Sequence, residues 1–307
     1  MAPQDYQILT DEHVRKMPMA LAVQKMEDAF REMAAGNLNA PPRFRVEGSK
    51  GDLVFTAGSV TGAENVIGFR VYDTFPGTSS SAEQKQLVVV YSDEDARFKG
   101  LVIGRLLGSM RTGGIGGVAL KHLSRPDSKV LGVVGTGYQT VTQVKAALAV
   151  RDIERVQLYN RTKSKAETFA AEVAAEHNVA VQVMDSAEAA VRGADILLCV
   201  TNSRTPVIQS EWLEPGVHIN NIGPKLASAH ELPVDVADYC DLIVCDSIQQ
   251  AQGYGEPFYL PPDTFVSLDN IVTGKAAGRP SAESRTLFVS VGLAGTEVIL
   301  ANALFGM

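Results

Sequence analysis

Two short stretches hold the residue types that a bound dinucleotide needs, the glycine turn Gly135-Thr136-Gly137-Tyr138-Gln139-Thr140 and, after an intervening helical segment, Asn160-Arg161-Thr162. An apolar run from Val130 to Val134 leads into the turn, and Val141, Val144, Ala147, Leu148 and Val150 then follow a helical period. In that setting Gly135 permits a tight turn and Gly137 lets backbone approach a pyrophosphate. The helix start supplies N–H groups and a partial positive charge. Thr140 stands where a third glycine is usual, which predicts looser helix-strand packing without contact to the phosphates.

A glycine turn of this kind also joins strand to helix where no ligand binds, so the second strand decides between the two readings. An acid at the end of that strand would bond the ribose hydroxyls and repel a 2′-phosphate. Here the strand Val156 to Asn160 ends in Asn160, Arg161 and Thr162, with Lys163 and Lys165 following. A guanidinium clamps a phosphate through charge-assisted paired bonds, and the expected cofactor is NADP(H). A solvated basic helix start is the plainer alternative, but Lys and Arg suit a helix N-terminus poorly without an anion nearby.

Composition bounds the rest. The 307 residues, 45% hydrophobic and 21% charged, leave room for a large core and predict two domains. A formal net charge of -7 argues against nucleic acid or an anionic membrane as the main partner. No apolar run approaches the roughly 20 residues that span a bilayer, and Met1 to Thr10 lacks the pattern of a signal peptide, so the expected location is cytoplasmic. Cys199, Cys240 and Cys245 have no metal spacing and read as reduced core residues. The five histidines form no HxxxH or HExxH arrangement, and no metal is expected.

The elements that must position these residues fall into three regions. Asp11 to Ala35 carries a helical pattern, followed by strand-like runs at 52–57, 66–72, 86–91 and 99–103 that predict a mainly antiparallel sheet. A helix from about Arg105 to Leu123 stops at Ser124-Arg125-Pro126-Asp127. Six apolar strands alternating with helical segments then predict a doubly wound parallel α/β sheet of the Rossmann type, and Ser281 to Phe305 reads as a closing helix that returns to the first domain. The expected division is 1–124 plus 279–307, a discontinuous α+β substrate and dimerisation domain, and 125–278, the dinucleotide domain.

Taken in order, Met110-Arg111-Thr112-Gly113, Gly132 to Gln139, Ala194 to Thr201, Ile219 to Gly223, Gly274-Lys275, Gly278-Arg279 and Phe288 to Ala294 resemble the ornithine cyclodeaminase/mu-crystallin family from about Leu9 to the end. The resemblance implies a homodimer built through the first domain, an active site in the cleft between domains, and imine or amino-acid redox chemistry on a small-molecule substrate. It implies cofactor contacts at Arg111, Thr112, Tyr138, Gln139, Thr201, Ile222, Gly223 and Ser290, beside those at Gly135, Gly137, Asn160, Arg161 and Thr162. The Asn-Arg-Thr-Lys sequence is similar to the NADPH-binding, mu-crystallin-like branch, whereas cyclodeaminases carry an acid there and use NAD.

Substrate binding is mapped by the same resemblance to Arg43, Arg70 and Arg111. Pro41-Pro42 stiffens the backbone that presents Arg43, although a surface arginine fits there equally well. Arg70 sits in an apolar strand, on the face shared with Gly68 and Tyr72, where the family typically has Lys. Arg111 opens the glycine-rich stretch 112–117, which costs a helix about 1 kcal/mol per glycine and so predicts close approach by backbone or cofactor. The sharpest departure is Lys225, where cyclodeaminases place an Asp that handles amine protons. Catalytic roles are therefore expected at Lys225 and Arg70, in hydride transfer from NADPH to the C=N carbon of a 2-imino acid or cyclic ketimine carboxylate, or the reverse. The alternatives are a redox-neutral cyclodeaminase-type ammonia lyase and a non-catalytic NADPH-binding protein.

Overall fold

The computed structural model describes residues 6–76 and 86–307. Its contacts divide the chain into two compact units, Met1–Gly114 with Gly292–Met307, and Ile115–Val291.

In the first unit Leu53–Val60, Val66–Asp73, Gln86–Ser92 and Phe98–Gly104 form an antiparallel meander. Gln7–Thr10 adds to its edge in parallel with Phe98–Gly104. The strands alternate, so Val54, Val60, Val66, Val88, Val90 and Val102 are buried on one face. The helix Thr296–Phe305 lies on the strands of this sheet and packs against the helix Met19–Ala35. On the other face Ile67, Leu87 and Tyr91 remain exposed. The helical pattern expected from Asp11 to Ala35 is two helices, Asp11–Val14 and Met19–Ala35. Pro18 lies between them and disfavours helical backbone at Met17 before it.

The second unit is an eight-stranded sheet in the order Ala180–Val183, Arg155–Tyr159, Val130–Val134, Ile196–Cys199, His218–Asn221, Thr286–Val289, Leu242–Cys245, Val266–Ser267, with every pairing parallel. One face packs Leu131, Val133, Leu158 and Leu198 against Val144 and Phe169. The other packs Leu197, Ile219, Leu287 and Val289 against Leu232 and Phe258. Burial on both faces explains why these strands read as continuous apolar runs. Strand order reverses between Val130–Val134 and Ile196–Cys199, the position at which doubly wound sheets open a crevice for ligands.

Ser281 to Phe305 is not one helix, as its apolar residues suggest. Thr286–Val289 is a fully buried central strand and only Thr296–Phe305 is helical. A short run buried on both sides has no period that separates strand from helix. The unit boundaries accordingly fall at Gly114/Ile115, inside the helix Leu106–Leu123, and at Val291/Gly292, rather than at 124/125 and 278/279. The turn at Ser124–Pro126 ends the helix but not the unit, because Leu120 belongs to the core of the parallel sheet.

Candidate functional site

Because all strands of the eight-stranded sheet run the same way, their carboxyl ends share one edge, and most of the expected cofactor residues stand on it. Gly135 has φ +104°, where a side chain is strained, and a Cβ there would also run into the Val200 carbonyl. Gly137 has φ −77° and caps the helix Tyr138–Val150, whose start no side chain caps. A Cβ at Gly137 would meet only Val200 O, at 3.8 Å. No protein atom among the described residues requires glycine there, and the backbone is left open to close approach. Thr140 is fully buried and donates from Oγ1 to Gly135 O at 3.3 Å. It packs into the turn instead of loosening it, which corrects the sequence expectation.

Asn160 donates from Nδ2 to Thr162 O at 3.0 Å and shapes the loop that exposes Arg161. A pocket lined by Thr136, Ser164, Lys165 and Thr168 lies beside the glycine turn. On the other side of the switch point, Thr201, Ile222 and Gly223 follow adjacent strands, and Ser290 donates its backbone N–H to Asn221 O at 3.1 Å.

A residue that sequence reasoning missed organises this edge. Glu231, fully buried, accepts from Thr201 N at 2.7 Å, Thr201 Oγ1 at 2.8 Å, Asn221 Nδ2 at 2.8 Å and Gly223 N at 2.5 Å. Burial raises its pKa, and the bonds from Thr201 and Gly223 and the charge of Lys225 oppose that. Lys225 folds back on the same loop, donating from Nζ to Gly223 O at 2.6 Å and Ile222 O at 3.2 Å.

The first unit holds a second cluster. Arg70 donates from Nη1 to Glu297 Oε1 at 2.8 Å, and from Nε and Nη2 to Gln86 Oε1 at 3.1 and 2.8 Å. Its guanidinium lies 4.5 Å from the centre of the Tyr72 ring. Gly108 makes room for it, since a Cβ there would come within 3.0 Å of Arg70 Nη2. Arg111 donates from Nη2 to the same Glu297 Oε1 at 2.5 Å, while its buried Nε has no partner among the described residues. Arg43 and Arg111 both approach Gly292, within 3.5 and 2.8 Å of its Cβ position. Two cations thus meet one buried carboxylate, with Arg43 beside Arg111 at Gly292. Burial pulls the Arg70 pKa down from its ordinary value, Glu297 opposes this, and Arg111 adds to it. The glycines after Arg111 also serve internal packing: Gly114 abuts Met26 and Ala22, and Gly116 abuts Gln143.

Arg43, Arg70 and Arg111 are therefore brought together, with Thr112 one residue further along the helix and bonded from Oγ1 to Gly108 O at 2.9 Å. Lys225 belongs to the other unit. Glu297 was unassigned, although a lone acid in the apolar run from Val291 to Phe305 is itself a signal. Among the described residues no three His, Cys, Asp or Glu side chains come together as a metal site.

A glycine turn at a helix start, on a doubly wound parallel sheet joined to a discontinuous α+β unit, defines a Rossmann-type dinucleotide-binding protein. The chain belongs to the ornithine cyclodeaminase/mu-crystallin family, whose model matches residues 6–305. It is 38% identical over 213 residues to the Delta(1)-pyrroline-2-carboxylate reductase of Bacillus cereus, a match covering 67% of this chain and 65% of that protein's length. The Thermococcus litoralis Delta(1)-pyrroline-2-carboxylate reductase, solved with NADH and L-proline, superposes with a TM-score of 0.87 at 26% identity, covering 97% of this chain and 96% of that one. An archaeal alanine dehydrogenase dimer with bound NAD gives 0.87 at 29% identity, covering 98% and 95%.

Proposed function

We propose that this chain is an NADP(H)-dependent oxidoreductase that reduces the C=N bond of a 2-imino acid or cyclic ketimine carboxylate, or runs the reverse amino-acid dehydrogenation. The observation that carries this reading is the convergence of Arg70 and Arg111 on one buried carboxylate, with Arg43 and Arg111 both approaching Gly292 and a buried Arg111 Nε lacking a partner among the described residues. Such a cluster seats a carboxylate. The relatives named above support the class, since two are named for a cyclic imine carboxylate and the solved pair bind NADH or NAD.

When bound, the nicotinamide supplies the hydride. Gly135, Gly137 and the start of the helix at Tyr138 and Gln139 hold the pyrophosphate, while Asn160, Arg161 and Thr162 hold the 2′-phosphate. Thr201, Ile222, Gly223 and Ser290 line the other half of the edge. Arg43, Arg70 and Arg111 grip the substrate carboxylate and fix its orientation, a positioning effect that needs no covalent intermediate. Reduction adds hydride to carbon and a proton to nitrogen. We assign that proton to Lys225, whose Nζ alternatively grips a second acidic group of the substrate. Asn160 and Lys225 stand where a cyclodeaminase has acids, which favours net reduction over the redox-neutral lyase reaction.

The apolar outer face of the first unit's sheet, with Ile67, Leu87 and Tyr91 exposed, supports a homodimer through that face. Ile67→Lys should shift sedimentation toward the monomer. No described helix is long and apolar enough to cross a membrane, and a cytoplasmic location is part of the proposal.

The deciding experiment follows NADPH oxidation with a panel of 2-oxo acids, with and without ammonia or methylamine, and with preformed cyclic imines. Turnover of one imino acid class supports the proposal. Binding of NADPH without turnover of any substrate favours a non-catalytic binding protein.

A further inference from the structure

The loops after Ile196–Cys199 and His218–Asn221 lie on the side of the switch point away from Arg155–Tyr159. A dinucleotide lying across a switch point rests its adenosine half over the early strands and its second half over these two loops. Both loops end on one group. Each carboxylate oxygen of Glu231 accepts twice, Oε2 from the Thr201 N–H and hydroxyl, Oε1 from Asn221 Nδ2 and the Gly223 N–H. A chain with free choice would not bury a carboxylate here. Doing so is costly unless its hydrogen bonds are made, and only an ionised carboxylate accepts on both oxygens without donating.

The chain reaches this arrangement through a hairpin. Lys225–Leu226 pairs with Ala229–His230 and returns the backbone so that Glu231 N donates to Pro224 O at 3.1 Å. Gly223 is then held from both sides, its N–H by Glu231 and its carbonyl by Lys225 Nζ. Its lack of a side chain is required, since a Cβ would collide with Thr201 O and with the Glu231 carboxylate.

We infer that Glu231 is a positioning residue for the nicotinamide half of the dinucleotide, setting that seat by locking the two loops to one another through a single buried carboxylate. The inference rests on the dinucleotide reading above and extends it to a residue that need not touch the cofactor.

The test is calorimetric titration of the full chain with NADPH and with adenosine 2′,5′-bisphosphate, which lacks the nicotinamide half. Glu231→Gln places an amide donor against two donors on one side, and Glu231→Asp keeps the charge but is too short to serve both loops. In either variant the NADPH dissociation constant should rise by about tenfold or more while that for adenosine 2′,5′-bisphosphate stays within about twofold. Glu231→Asp keeps the test open if Glu231→Gln does not fold. Equal weakening of both ligands would make Glu231 an ordinary structural carboxylate and overturn the inference, as would no change in either. A wild type that binds NADH but not NADPH is tested with NADH and AMP in their place. A wild type that binds neither dinucleotide overturns the functional reading and this inference together, whereas wild-type binding with unaltered variants overturns only this one.

Discussion

Arg111 Nη2 and Glu297 Oε1 stand 2.5 Å apart, with the two side chains 10% and 1% exposed. Burial alone would raise the Glu297 pKa, but Arg111 and Arg70 outweigh it and hold the carboxyl at about 2. Its position in the first turn of the helix Thr296–Phe305 adds a favourable dipole. Glu297→Gln leaves two nearly buried guanidiniums without their counter-charge, and the expected loss of stability is about 3–5 kcal/mol. Urea denaturation measures it. The sign with pH follows from the lowered value: the contribution is complete above the unfolded carboxyl value of 4.5 and is lost as pH falls toward 2. A Glu297→Gln protein as stable as wild type would show that the arginines are anchored by other groups.

A second acid-sensitive group works in a different window. His218 is fully buried between Thr286 Oγ1 at 2.8 Å and Asn220 Oδ1 at 2.9 Å. Burial depresses its pKa to about 3, Asn220 opposes that, and Arg279 and Arg151 reinforce it. The folded ring stays neutral while the unfolded chain takes up a proton below 6.5, so stability should fall by roughly 1.4 kcal/mol per pH unit between about 6 and 3. Between about pH 6.5 and 5.5 Glu297 contributes little slope, because its carboxyl is almost fully ionised in the unfolded chain as well. In that interval His218→Gln should flatten the dependence of the unfolding midpoint on pH, and an unchanged slope would assign it to another group.

The parallel sheet was legible because its central strands are buried on both faces and bounded by turns, and the glycine turn because its residues are local. Thr286–Val289 was hidden for the same reason that made the others visible: continuous apolarity runs on through Val291 into the next helix. Glu297 lies 227 residues from Arg70 and 186 from Arg111, so no pattern of spacing could pair them. Glu231 is only 30 residues from Thr201 and 8 from Gly223, yet its role depends on a hairpin that the sequence marks weakly. The arginines themselves were found by resemblance, and the carboxylate that Arg70 and Arg111 share only by folding.

Cofactor choice is tested at Arg161, exposed at the end of the second strand. Arg161→Asp should raise the NADPH dissociation constant by at least about tenfold and change that for NADH much less, through loss of the 2′-phosphate clamp. Fluorescence titration with both cofactors reads the difference directly. Equal effects on the two would remove the assignment of NADP(H).

Lys225 separates a reductase from a cyclodeaminase. Its Nζ already donates to the Ile222 and Gly223 carbonyls, which fixes the ammonium at the carboxyl edge of the sheet. If it also serves the substrate, Lys225→Met should lower kcat/KM for imine reduction by roughly 10²-fold while the NADPH dissociation constant stays within about twofold. Lys225→Asp restores the acid that cyclodeaminases carry, yet it should not rescue reduction. An anion repels the substrate carboxylate and cannot replace the lost donors. A parallel rise in the NADPH constant for Lys225→Met would reduce the lysine to a holder of the Gly223 loop. Wild-type rates in both variants would leave it no part in the chemistry. Ammonia release from ornithine by the unaltered protein, with no added oxidant, would overturn the reductase reading itself.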